Sequence, residues 1–196
     1  LMSYKGERSR GFGGERPTYV PCFPVGQSAA QRAFREFVAD SKSPHTQAIG
    51  EAVNLLKLNP VLVGAAKTMT EVLGTTGDFD QKLFMSGVAL VHRAVRYQAE
   101  SNGGRIVFVY PDIVTTCIRD FKERANPNLS ARDGFVQDVT ALQLSEQYLG
   151  RMIEDTSLAL ELHGTRMADF YGGAWFAYAI LKAADEANGL RKKFRL

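Results

Sequence analysis

The sequence predicts an all-α fold, a bundle of about seven helices with an extended N-terminal arm and at most one short strand. Apolar residues recur with helical spacing through most of the chain after residue 27. Ser, Asn and Asp residues beside Pro, together with isolated Gly residues, mark where helices start and stop. Only residues 105–110 are rich in the β-branched and aromatic residues typical of strands. A chain of 196 residues with average globular composition is long enough for one domain with its own core.

The chain divides into three predicted parts: an extended basic Gly/Pro-rich arm over residues 1–26, a helical domain over residues 27–189 and a basic C-terminal tail over residues 190–196. The arm has no periodicity and eight Gly and Pro residues, which disfavours regular structure. Apolar residues near its end predict that its second half packs on the body; they are Tyr19, Val20, Phe23 and Val25.

Start and stop signals predict the first helices of the domain. Ser28 is a candidate N-cap, and the pairs Ser43-Pro44 and Asn59-Pro60 each place proline at the first helical position. Gly74 supplies a stop, and Asp78 or Asp80 caps a longer helix to about Ser101. The strand-like run at 105–110 has no obvious internal partner, and we expect an extended connection there.

The second half of the domain is predicted to contain four helices, which span about 111–124, 130–140, 142–163 and 165–189. The last of these is apolar on nearly every face, which indicates the buried centre of a bundle. Gly172-Gly173 in its middle lowers helix propensity. The compensation we expect is the close approach of a neighbouring helix.

The composition argues against several classes of protein. No run of about 18 apolar residues occurs, so we expect no membrane-spanning helix and no membrane partner. The N-terminus lacks the apolar segment of a secretory signal. Cys22 and Cys117 do not form a disulfide framework and suit a reducing compartment. We therefore expect the protein in the cytoplasm or within a nucleoprotein particle.

No arrangement of residues predicts catalysis, and we expect no catalytic residue, no metal site and no cofactor. His45, His92 and His163 lack a second ligand at metal-binding spacing, and His92 is expected at the edge of an apolar stripe. The glycines of residues 11–14 neither follow a strand nor open a helix, so they fail the requirements of a dinucleotide-binding motif.

The basic residues are concentrated at the two ends of the chain. Residues 1–16 hold four basic and two acidic residues, and residues 190–196 hold four basic residues and no acid. Because the whole chain has a formal charge of +3, the body between these segments is net acidic, at −3. Such asymmetry indicates arms that contact a polyanion, although terminal charge also serves solvation.

Two arginine pairs on helices extend this hypothesis. Arg32 and Arg35 share a helix face, as do Arg93 and Arg96, and each pair opposes an apolar stripe, so we expect both pairs to be exposed. With the arginine–glycine segment of the arm they predict one nucleic-acid-binding groove. The alternative is that both pairs are ordinary solvated surface, which Glu36 and Glu100 neutralise locally. Its candidate residues are Arg8, Arg10, Arg16, Arg32, Arg35, Arg93, Arg96, Arg191, Lys192, Lys193 and Arg195.

Three functional hypotheses follow from the sequence. The first is a non-enzymatic helical subunit of a nucleoprotein assembly that binds single-stranded nucleic acid through its backbone, without sequence preference, and forms a homo-oligomer or joins a larger complex. The second is a structural or protein–protein interaction subunit without nucleic-acid binding. The third is a helical enzyme or small-molecule binder with a pocket near Tyr171, Trp175 and Tyr178.

Overall fold

A computed structural model describes residues 20–41, 59–74, 78–104, 109–124 and 131–194. These residues form seven α-helices and no strand, as the fold class predicted. The helices are α1 (Gln27–Asp40), α2 (Pro60–Leu73), α3 (Gln81–Ser101), α4 (Pro111–Arg124), α5 (Ala131–Ser145), α6 (Gln147–Ala159) and α7 (Gly164–Phe194).

The N-termini of two helices follow the predicted signals. Helix α2 begins at Pro60, whose fixed φ suits the first helical position and whose missing N–H has no role there. Asp80 caps α3, because its Oδ1 accepts hydrogen bonds from the backbone N–H groups of Lys82 at 3.0 Å and Leu83 at 3.1 Å. Helix α1 differs from prediction, since it begins at Gln27 with Gly26 as its N-cap and Ser28 lies in its first turn.

Helix α7 is the centre of the bundle and packs against α2, α3, α4, α5 and α6. Its closest neighbour is α3, and glycines on both helices let the two backbones meet. A Cβ at Gly173 would collide with the carbonyl oxygen of Phe84, and a Cβ at Gly87 would lie 2.7 Å from the backbone nitrogen of Ala174. The close approach predicted at Gly172-Gly173 is therefore confirmed.

Three helix boundaries in the second half of the chain differ from prediction. Helix α6 ends at Ala159, four residues before the predicted end at residue 163. The break between α5 and α6 falls at Glu146, where the backbone leaves helical geometry, and not near residue 141. A close corner explains this position, since a Cβ at Gly150 would lie 2.7 Å from Cγ of Gln143. Helix α7 continues past Gly189 to Phe194, because one glycine costs only about 1 kcal/mol of helix propensity.

Several predicted elements lie outside the described residues: most of the arm (1–19), the helix expected after Pro44, and residues 105–108 of the strand-like run. Val109 and Tyr110, which end that run, are not in a strand. The division into arm, domain and tail stays a prediction. Within the described ranges, no helix combines the length and the apolar character that crossing a bilayer requires.

Candidate nucleic-acid interface

The structure locates only part of the predicted basic groove. Arg8, Arg10, Arg16 and Arg195 lie outside the described residues, and for Arg191 and Lys192 the structure describes the helical backbone alone. Lys193 is exposed in the last turn of α7, and Arg32 and Arg35 are exposed on α1. The remaining two predicted residues, Arg93 and Arg96, lie on α3 where it faces α1.

The arginines of α1 and α3 meet around the ring of Tyr97. The guanidinium of Arg32 lies 3.8 Å from the centre of this ring, and its Nε donates to Glu36 Oε1 at 3.0 Å. The hydroxyl of Tyr97 donates a short hydrogen bond to the other carboxylate oxygen of Glu36. Arg96 approaches the same ring at 5.3 Å. A cation over an aromatic face is stabilised by the ring quadrupole, so both arginines are held by the protein itself.

Acidic side chains accompany each of these arginines. Glu100 lies 4.0 Å from Arg32 Nη1 and 4.0 Å from Arg96 Nε, which places it between the two guanidinium groups. The hydrogen bond to Glu36 raises the pKa of Arg32, and the hydrogen bond from Tyr97 lowers the pKa of Glu36. Burial raises the pKa of the Tyr97 hydroxyl, so it stays protonated and remains a donor.

Arg93 contradicts the expectation that both arginine pairs are exposed. It is buried, with 5% of its surface exposed, and its Nη1 lies 3.4 Å from Asp40 Oδ2. Its guanidinium also lies 5.7 Å from the centre of the Phe37 ring. The prediction failed because α1 covers this side of α3, and a helical wheel of α3 alone does not include α1. Arg93 thus fastens α1 to α3 and offers little surface to a ligand.

The α1–α3 surface is therefore nearly neutral. Arg32, Arg93 and Arg96 share this surface with the carboxylates of Glu36, Asp40 and Glu100. Arg35 is exposed on α1. Exposed pairs of this kind gain little free energy from pairing, but they cancel the field that would attract phosphate groups. These arginines do not form the continuous basic groove that the sequence predicted.

The end of the N-terminal arm is fastened to the body over residues 20–26, which we call the strap. The N–H of Cys22 donates to Asp185 Oδ1 at 3.0 Å, that of Val25 to Glu146 Oε2 at 3.1 Å, and that of Gly26 to Gln98 Oε1 at 2.8 Å. Cys22, Phe23 and Val25 are buried in the main core, which confirms that the end of the arm packs on the body.

The carboxylates that accept hydrogen bonds from the strap lie in an environment that the sequence did not indicate. Glu146 is 4% exposed, and burial raises its pKa, while the N–H of Val25 and the ammonium of Lys182 favour its ionised form. Lys182 Nζ lies 3.9 Å from Glu146 and 5.1 Å from the centre of the Phe23 ring. Sequence reasoning missed Glu146 because it placed this residue inside a helix, where an isolated Glu is ordinary solvent-facing surface.

The strap brings the attachment points of the two basic segments together. Cys22 contacts Asp185 of α7, and Arg191 follows Asp185 by six helical residues, or about 9 Å along the axis. The segment with Arg8, Arg10 and Arg16 therefore joins the body at the end of α7 that carries the C-terminal cations. These cations also have a structural role, because positive charge near the C-terminus of α7 interacts favourably with the helix dipole.

The proposed aromatic pocket is filled by packing. Tyr171 is buried and its hydroxyl lies 3.1 Å from Ser157 Oγ, while the rings of Trp175 and Tyr178 lie 5.4 Å apart. Phe23 of the strap packs edge-on against Tyr178. These contacts are those of a core, and the groove between α1 and α6 is lined by none of these three residues.

The two cysteines and His92 lie partly or fully within the protein. Cys22 is buried, Cys117 is half-buried and burial raises its pKa, and no group of three or more metal-ligating side chains occurs among the described residues. His92 is fully buried and neither ring nitrogen has a hydrogen-bond partner, so it is not at the edge of the apolar stripe as predicted. Burial lowers its pKa to about 3.

Comparison with known protein families, with curated proteins and with solved structures found no match to this chain.

Proposed function

We propose that this protein is a non-enzymatic helical subunit of a nucleoprotein assembly, and that it binds the backbone of single-stranded nucleic acid through its two basic terminal segments. Arg32, Arg93 and Arg96 are not part of this proposal, because carboxylates neutralise them. Arm and tail together carry eight basic residues and two acidic ones.

The observation that carries the proposal is the hydrogen bond from Cys22 to Asp185, which fixes the arm beside the last turns of α7. Asn102 strengthens this attachment, since its side chain donates to the carbonyl of Pro21 at 2.7 Å. Two cationic segments joined at one end of the molecule act on the same polyanion, and their contributions to affinity combine. A body of net negative charge directs nucleic acid away from the rest of the surface.

Binding through backbone phosphates predicts strong salt dependence and weak sequence preference, because each neutralised phosphate releases counterions. The test measures the fluorescence anisotropy of a labelled 20-nucleotide single strand at several NaCl concentrations between 50 and 200 mM. We expect similar affinities for poly-U and mixed sequences. Absence of binding at the lowest salt concentration overturns the proposal.

Replacement of Arg8, Arg10 and Arg16 by Ala tests the arm. We expect the log–log salt slope to become shallower by about 2, since each phosphate contact on a single strand contributes roughly 0.7. A matched control removes three exposed cations of the body, Lys67, Lys122 and Arg166. Equal losses in the two variants would show a general charge effect and would contradict a role for the arm.

A second candidate function is a structural or interaction subunit that does not bind nucleic acid. The neutral α1–α3 surface favours it, as does the stabilising effect of C-terminal cations on the dipole of α7. A protein that assembles with itself or with other proteins, but does not bind the labelled strand in the anisotropy experiment, would favour this candidate.

A further inference from the structure

The three large apolar side chains that are most exposed in the described chain are Leu144, Leu158 and Leu190, at 91%, 64% and 57%. Two of them belong to one region. Leu158 lies on α6, and Leu144 follows Gln143, whose side-chain amide donates to Glu154 of α6 at 2.6 Å. Exposed leucines collected near one helix face indicate a surface that another molecule covers.

Carboxylates surround this region. Glu154 and Asp155 precede Leu158 by about one helical turn and lie near it on the solvent side of α6. Glu161 follows Leu158 in the turn just after the helix ends. All three are exposed, and Arg151 is the exposed cation of the same face. We call the surface formed by Arg151, Glu154, Asp155, Leu158 and Glu161 the acidic face. It combines an apolar centre with a net charge of −2.

A groove lies beside the acidic face, between α6 and α1. Its volume is about 90 Å³ and it is open to solvent. Asp155 and Arg151 line it together with apolar side chains, among which are Phe34, Tyr148 and Met152. An apolar side chain that enters the groove would therefore contact apolar groups. Positive charges beside that side chain would lie near the carboxylates of Asp155 and Glu154.

The end of α7 has the complementary chemistry. Leu190 is exposed there, Lys193 is exposed one turn later, and residues 191–195 contain four basic residues. Glu186 is the exposed acid one turn before Leu190. An exposed leucine followed in sequence by cations complements an apolar groove bordered by carboxylates in polarity and in charge.

Within one molecule these two surfaces do not meet. Ser157, next to Leu158, contacts Tyr171 of α7, and Leu190 follows Tyr171 by 19 helical residues, which is about 29 Å along the axis. A continuous helix does not fold back over that distance. An α7 end that binds the acidic face therefore belongs to another molecule.

We propose that the acidic face and its groove bind the C-terminal end of α7 from a second copy of this chain, so that the copies join head to tail. Such a contact uses two different surfaces. It produces either open chains, which keep one unused surface at each end, or closed rings, which keep none. This inference rests on the part of the proposed function that makes the protein a subunit of an assembly, and it needs no nucleic acid.

The test is sedimentation velocity of the full chain, free of nucleic acid, over a range of protein concentrations at 50 and 500 mM NaCl. We expect oligomers that grow with concentration and dissociate at high salt, because the contact is electrostatic at its rim. Leu190→Asp places an acid against the acidic face, and Asp155→Lys with Leu158→Lys places cations against cations. Each variant is expected to weaken association about tenfold or more.

Mixing the two variants separates this contact from other modes of association. Each retains one intact surface, so an equimolar mixture is expected to form dimers that grow no further. A control with Asp120→Lys and Glu123→Lys reverses two exposed charges on α4 and is expected to assemble like the unmodified chain. The Arg8, Arg10 and Arg16 variant should also assemble normally, which keeps this test independent of nucleic-acid binding.

A chain that stays monomeric at low salt overturns the head-to-tail proposal, and so does association that neither variant weakens. Growth beyond dimers in the mixture would also contradict it. Loss of nucleic-acid binding with normal assembly would instead overturn the proposed function and leave this contact intact. Since the altered residues are exposed, unchanged circular dichroism and melting temperature of each variant should show that folding is not the cause.

Discussion

Helix α3 has two well-defined sides that are built on different chemistry. Toward α7 it presents Gly87, and the two backbones come so close that neither Gly87 nor Gly173 has room for a methyl group. Toward α1 it presents Arg93, Arg96 and Tyr97, which pack through stacking, hydrogen bonds and ion pairs. The contact with α7 depends on glycines, which leave no side chain between the backbones. The contact with α1 depends on long polar side chains.

The difference teaches which contacts in this molecule resist change. Backbone contact tolerates no added atoms, because a close-packed interior cannot shift one helix without disturbing its neighbours. Long side chains at a half-exposed contact rearrange and remain solvated, so their loss costs less. The α3–α7 contact should therefore dominate stability, whereas the α1–α3 contact should set mainly where α1 and the strap lie.

The largest expected effect is at the glycine contact. Gly173→Ala would place a methyl group against the carbonyl of Phe84, and we expect the free energy of unfolding to fall by about 3 kcal/mol. Gly64→Ala is the control, because the exposed Gly64 lies inside α2 with open space around it. That variant should be more stable by about 0.5–1 kcal/mol, as expected for Gly to Ala in a helix. Urea denaturation measures both, and an equal response would refute the comparison.

A smaller effect is expected on the other side of α3. Arg93→Ala removes a buried guanidinium, and we expect a loss of about 2 kcal/mol, below that of a fully buried pair because the side chain of Asp40 is 61% exposed. Arg32→Gln alters an exposed residue of the same surface and should leave the melting temperature unchanged. If Arg32→Gln destabilises the protein as much as Arg93→Ala, the stability of this contact does not depend on burial.

His92 also lies on α3, but among the described residues neither side of the helix supplies a hydrogen bond to its buried ring. With a pKa of about 3 in the folded protein, His92 stays neutral while the unfolded chain takes up a proton below about pH 6.5. Stability is therefore full above pH 6.5 and falls as the pH decreases toward 3. At pH 5.5 we expect a loss of about 1.4 kcal/mol relative to pH 7.5 from this group.

Replacement of His92 by Leu should remove this contribution. Urea denaturation of the variant and of the unmodified protein at pH 7.5 and 5.5 measures the difference. Equal pH dependence of the two proteins would show that His92 gains a partner or solvent access when it is protonated.

Much of the fold could be predicted from local signals. Pro60 and Asp80 start their helices as expected, and Gly172-Gly173 marks the close contact at the centre. The break at Glu146 could not be predicted, because it depends on the packing of Gly150 against Gln143. Local propensity places helices, whereas a corner between two helices is set by what packs inside it.

The candidate interface was harder to predict than the fold. Helical spacing indicated Glu36 and Glu100 as local partners of the arginines on α1 and α3, and both pairs form. Spacing could not indicate the pairs that cross between the helices, Arg32–Glu100 and Arg93–Asp40. Charge at a surface is a sum over neighbours in space, and a helical wheel contains only neighbours on one helix. The docking of the strap on Glu146 and Asp185 gave no sequence signal, because backbone N–H groups are present at almost every residue.

The sequence by itself determined the helical class, the buried last helix and the concentration of basic residues at both ends, because periodicity, propensity and charge are properties of the chain. Only the tertiary structure decided that Arg93 is buried, that the two basic segments are attached at one end, and that leucines lie among carboxylates on α6. Burial, pairing and proximity depend on residues distant in the chain, and only the folded backbone brings these together.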